Sequence, residues 1–158
     1  IIVLIHDYYQ LIKKGFTLIE ILVVIGIIAI MAAIVLIAIN PARQFAQARN
    51  AQRESNLNTL LNAIGQNLAD NKGVFTCPSV GVAITTATTT IGTAVTNSNL
   101  ACLVGTYIPG GVPRDPESAT DADTDYTISV SATGRYVICA DEHAEPAVPG
   151  SVSYCVTR

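Results

Sequence analysis

The chain has 158 residues, 50 % of them hydrophobic, and a formal charge of −3 at pH 7. That length suits about one domain, and 9 Lys and Arg against 12 Asp and Glu leave no basic stripe of the kind that binds nucleic acid. The apolar content is not spread as in an ordinary core. Residues 21–39 hold no charge and a single glycine, Gly26, while the rest of the chain is rich in Thr, Ser, Asn and Ala.

Residues 1–15 end in Lys13-Lys14-Gly15, and the apolar run follows. A secretory signal peptide has the same order but is cut after its apolar core, at small residues. Here the run ends Ile37-Ala38-Ile39-Asn40-Pro41 with no obvious site of that kind, so the segment is expected to stay with the protein. As a helix, residues 16–39 measure about 36 Å, enough for a hydrocarbon layer of about 30 Å. The two lysines ahead of it predict a cytoplasmic N-terminus. Glu20 is then the anomaly, a carboxylate inside a membrane segment, where an ionisable group needs a partner or a purpose.

Past Pro41 the pattern turns amphipathic. Leu57, Leu60, Leu61, Ile64 and Leu68 recur at helical steps, with Asn56, Asn58, Asn62, Gln66 and Asn67 between them, which predicts a helix to about Asp70 with one buried face. Pro41 removes a backbone donor and predicts a kink or an unwound turn. Asn71-Lys72-Gly73 predicts the stop, with glycine in the left-handed position. Arg43, Arg49 and Arg53 form a short basic stretch on this helix, expected to face other subunits.

Residues 82–99 are threonine-rich and read as an exposed strand and loop region. Tyr126, Ile128 and Val130 then alternate with polar residues, Thr133-Gly134 marks a turn, and residues 135–140 and 152–156 complete an antiparallel set. The predicted fold is α+β: a long N-terminal helix, transmembrane and then amphipathic, packed on a small antiparallel sheet. The predicted parts are residues 1–15 ahead of the apolar run, 16–40 as membrane helix, 41–72 as amphipathic helix and 73–158 as a globular β domain.

The four cysteines, Cys77, Cys102, Cys139 and Cys155, lack the close spacing of zinc or redox sites. Two disulfides in an oxidising compartment are expected. Several pairings exist, and buried free thiols are the alternative. Cys77 with Cys102 and Cys139 with Cys155 are favoured because short loops close easily. Lys13 and Lys14 place these cysteines outside the membrane, so topology and cysteine usage agree. Asp121, Asp123 and Asp125 alternate, with Asp115 and Glu117 nearby, and are candidate calcium ligands. They lack the glycine and terminal glutamate of an EF-hand. No nucleophile elbow or phosphate loop occurs, and His143 stands alone among acids, so an enzyme is not expected.

The stretch Lys13-Lys14-Gly15-Phe16-Thr17-Leu18-Ile19-Glu20, followed by an apolar helix, resembles the processing site of type IV pilins and of the pseudopilins of type II secretion. The resemblance is specific at residues 13–39 and architectural beyond them. It implies cleavage between Gly15 and Phe16 by a membrane prepilin peptidase and N-methylation of Phe16. It also implies assembly of many copies, with an inner-membrane assembly platform, into an extracellular or cell-surface filament. Some pseudopilins bind calcium in a C-terminal loop, which adds to the reading of Asp121, Asp123 and Asp125. Cleavage exposes an amine at Phe16, largely charged at neutral pH, and a carboxylate four residues on, at Glu20, is expected to pair with the amine of another copy and set the register. Small residues, Gly26, Ala29, Ala32, Ala33 and Ala38, permit close helix contact. A type IV pilus subunit is the leading expectation, a secretion pseudopilin the alternative, and a monomeric membrane-anchored binding protein the rival from another class.

Overall fold

The structure is a computed structural model and describes residues 15–78, 81–117 and 120–158; the leader with Lys13 and Lys14 lies outside the described residues. The chain divides between Pro41 and Ala42 into two compact units.

In the first unit, helix α1 spans Leu18–Ile39. Thr17 caps it, with its side-chain oxygen accepting the Glu20 N–H at 3.2 Å, the arrangement that satisfies one of a helix's orphan donors. Thr17 and Glu20 have the spacing of a capping box. The 22 residues measure about 33 Å. None is buried, and among the described residues α1 is the one helix long and apolar enough to cross a membrane. Asn40 is left-handed, φ 44°, so the backbone leaves the helical conformation before Pro41. Of the kink or unwound turn expected at Pro41, the chain shows the local unwinding, at Asn40, where the residue before proline is kept out of the α region by the ring.

Helix α2 spans Pro41–Asp70 and buries Ala46, Asn50, Arg53, Asn56, Leu57, Leu60, Leu61, Ala63, Ile64 and Asn67. These recur at steps of three and four, as one face of a helix must. The face is apolar only toward its C-terminal end, and two residues expected on the outer side, Asn56 and Asn67, belong to it. Each is buried because it meets a specific partner. Asn67 holds the Thr76 backbone from both sides, at 3.0 and 2.9 Å, standing in for a strand partner. Asn56 donates to the Arg114 carbonyl at 2.9 Å and to the Tyr126 hydroxyl at 3.0 Å. At the helix end the Gly73 N–H reaches the Leu68 carbonyl at 2.7 Å, a Schellman closure. The left-handed residue at its centre is Lys72, φ 57°, one place before the glycine expected there, and Gly73 also has positive φ.

Strands β1 (Thr89–Thr90), β2 (Tyr126–Val130), β3 (Tyr136–Ala140) and β4 (Tyr154–Thr157) form one antiparallel sheet in chain order. Tyr126 pairs with Ala140 and Ile128 with Ile138, and all four are buried. They join Leu57, Leu60, Leu61 and Ile64 of α2 in one core, with Ile91, Leu100, Leu103 and Ile108. The fold is therefore α+β, the sheet covering the apolar face of α2.

The threonine-rich stretch contributes more than an exposed loop. Ile91 is fully buried, and its N–H donates to the Tyr126 carbonyl at 2.7 Å. Beyond it, Thr93 and Ala94 donate to the Asp121 and Ala122 carbonyls at 2.9 and 3.2 Å, so two loops lie backbone to backbone. Gly92 is what allows this approach: a β-carbon there stands 2.1 Å from the Ala122 carbonyl oxygen. Gly92→Ala is expected to destabilise the fold by about 3 kcal/mol through overpacking, readable as a shift of the urea midpoint at unchanged slope. A midpoint within error of wild type removes this account of the glycine.

Candidate assembly segment and the ionic clamp

The residues Gly15, Phe16 and Thr17 precede α1 in non-helical conformation. Phe16 is 78 % exposed, and the position of a Gly15 β-carbon has no atom within 4 Å. Glu20 sits in the first turn of α1, where the helix dipole favours a carboxylate. The helix expected from residue 16 starts at Leu18, with Thr17 as its cap and Phe16 ahead of it.

The second unit contains an ionic cluster that the charge pattern did not reveal. Arg53, on the buried face of α2, has no solvent exposure. Its Nε and Nη2 donate to the two carboxylate oxygens of Asp115, the latter at 3.1 Å. Its Nη1 donates to Glu145 at 2.6 Å and to the Asn50 side-chain oxygen at 2.9 Å. Arg49, one turn earlier, grips Glu145 through both oxygens at 2.6 and 2.7 Å. Glu117 stands at the rim, 3.5 Å from Arg49 and 3.7 Å from Arg53. Arg49 and Arg53 thus face acids of their own chain, not a neighbouring subunit. A buried guanidinium needs its whole fork satisfied, and here loops from before β2 and after β3 supply the acceptors. One side chain fastens both loops to α2.

Burial alone drives the Arg53 guanidinium down, but the hydrogen bonds with Asp115 and Glu145 outweigh it, leaving it raised and charged. Glu145 is lowered from 4.5 to about 2, first by the Arg49 hydrogen bonds, against burial, and then by Arg53. Its folded value lies below the unfolded one, so this contribution is present above about pH 4.5 and lost as pH falls toward about 2. Acid unfolding is therefore expected to steepen across that window, and Glu145→Gln to flatten it while lowering stability at neutral pH. An unchanged acid limb in the variant, followed by circular dichroism, contradicts the assignment.

The cysteines form two bonds, Cys77 with Cys102 and Cys139 with Cys155. The second joins directly opposed residues of β3 and β4. On the chain-entropy model such loops contribute about 3 kcal/mol each. The three aspartates proposed for calcium are engaged locally. Asp121 pairs with Arg114 at 2.8 Å, and an Asp123 oxygen accepts the Asp125 N–H at 3.0 Å. Among the described residues no group of three or more His, Cys, Asp or Glu is placed to hold a metal ion.

No curated protein and no solved structure matches the chain. Residues 12–36 match the family model described as the prokaryotic N-terminal methylation motif. That span contains Gly15, Phe16 and Glu20 and most of α1, while the clamp and the sheet lie outside it. Residues 12–36 carry the prepilin-type cleavage and methylation motif shared by type IV pilins and pseudopilins.

Proposed function

We propose that this chain is a structural subunit of a type IV pilus-like extracellular filament, assembling through α1 after leader cleavage between Gly15 and Phe16. The observation that carries the reading is that α1, most of which lies within the matched motif, buries none of its residues within its own chain. An apolar helix without an intramolecular partner needs lipid or other copies of itself, and in a filament it exchanges the first for the second. The motif fits a type II secretion pseudopilin equally well, which shares the same assembly step.

In this reading the leader is residues 1–15, and a prepilin peptidase acts at the Gly15–Phe16 peptide on the cytoplasmic side. An inner-membrane platform then moves the subunit out of the bilayer. Residues 73–158, with two disulfides, face an oxidising exterior. The test is intact mass with N-terminal sequencing of protein from sheared filaments. A chain beginning at methylated Phe16 is the expected result. An intact leader, a start near Asn40, or the absence of any filament overturns the proposal.

A further inference from the structure

Both ring nitrogens of His143 face acceptors. Nδ1 lies 2.9 Å from the Val152 carbonyl oxygen, and Nε2 lies 3.2 Å from a carboxylate oxygen of Glu54 on α2. A neutral imidazole carries one N–H, whereas the imidazolium carries two. The neutral ring therefore serves one acceptor and turns a lone pair toward the other, while the charged ring serves both.

The placement gives that difference a consequence. His143 lies between β3 and β4, and its carbonyl accepts from Asn50 of α2 at 3.0 Å. From β4, Tyr154 stacks on the ring at 5.3 Å. Asp141 and Glu142 share its short 3-10 turn, and Glu145, two residues on, is held by Arg49 and Arg53. The ring borders a cleft of about 340 Å³ lined by Gln47, Ala51, Glu54, Pro149 and Ser151, which gives water a route for proton exchange.

We propose that His143 is a pH-sensitive clasp: protonated, it ties the loop between β3 and β4 to Glu54 on α2 and to its own far end at Val152, and as pH rises one of the two ties is released. The Glu145 anchor keeps its charge throughout, because it titrates only near pH 2. The loop thus stays attached at Glu145 while its hold at His143 depends on whether the ring carries one N–H or two.

The test is amide hydrogen exchange of the full chain in detergent micelles at about pH 5 and about pH 8, corrected for intrinsic rates and referenced to β2 and β3. Wild type is expected to show roughly two- to five-fold lower protection of residues 143–152 at the higher pH, the range of a partly exposed ion pair. His143→Gln and Glu54→Gln are expected to show no such difference. Glu54 is on the exposed face of α2, so its variant keeps the core intact. Equal protection at both pH values in wild type, or a difference that persists in either variant, overturns the proposal.

Discussion

Replacing Arg53 by methionine is expected to destabilise the second unit by about 3 to 5 kcal/mol, the cost of breaking a buried ion pair from one side, and to lower its melting temperature by about 10 to 20 °C. The loss of an attraction is the smaller part of this. Asp115 is fully buried at its side chain and has Arg53 as its partner for both oxygens, so the variant leaves a desolvated carboxylate without its cation. Glu145 keeps the two-toothed grip of Arg49 and suffers less. The source of the cost is separable: adding Asp115→Asn to Arg53→Met removes the stranded charge and is expected to recover a large part of the stability. Arg49→Met, at a side chain 30 % exposed, is expected to be the milder single change. Thermal melts of the full chain in micelles, followed by tyrosine near-ultraviolet dichroism, rank the three. If Arg49→Met proves as damaging as Arg53→Met, the clamp is not centred where the hydrogen bonds put it.

The clamp was not legible in the sequence, whereas most of the fold was, and the difference is one of range. Helix α2 and strands β2 to β4 announce themselves through period 3.6 and period 2, patterns written within a few residues. Gly134, with φ 79°, turns β2 into β3 where a Thr-Gly pair stands. The carboxylates that Arg53 hydrogen-bonds are 62 and 92 residues away, and no local pattern distinguishes a guanidinium that will meet two carboxylates from one that will face water. A weak signal existed: Arg49 and Arg53 are one turn apart on α2, and Ala46, Asn50, Arg53 and Leu57 continue the same three-and-four rhythm as the leucines. Extending the apolar stripe toward the N-terminus by spacing, instead of by residue type, places Arg53 inside. Ile91 was obscured for another reason. A lone isoleucine amid threonines gives no period, and its burial depends on the close approach that Gly92 permits to the 121–122 backbone. At the assembly segment the residue types are plain, and Thr17 ahead of Glu20 has the spacing of a helix start, which places Phe16 outside the helix.

That cap gives Glu20 two possible occupations, and their energies separate them. As a first-turn carboxylate it stabilises α1 by about 0.3 to 1 kcal/mol through the dipole, a sum that a long apolar helix in lipid does not depend on. As the partner of a Phe16 amine on another copy, it pairs two charges that are otherwise buried alone among apolar helices, where loss of one partner costs about 3 to 5 kcal/mol, or between a hundred- and a several-thousand-fold in association. Glu20→Gln keeps the side chain's shape and removes the charge, Glu20→Val removes both, and the backbone N–H bond to Thr17 is available in each. If this small dipole contribution is the whole role, Glu20→Gln assembles close to wild type. If register pairing is the role, both variants are expected to remain in the membrane at normal levels, to be processed at Gly15, and to yield at least tenfold fewer filaments in the sheared fraction. Membrane fractionation with N-terminal sequencing supplies the first two readings, and filament yield the third. Normal filament yield from Glu20→Gln ends the register hypothesis and leaves Glu20 as part of a helix cap.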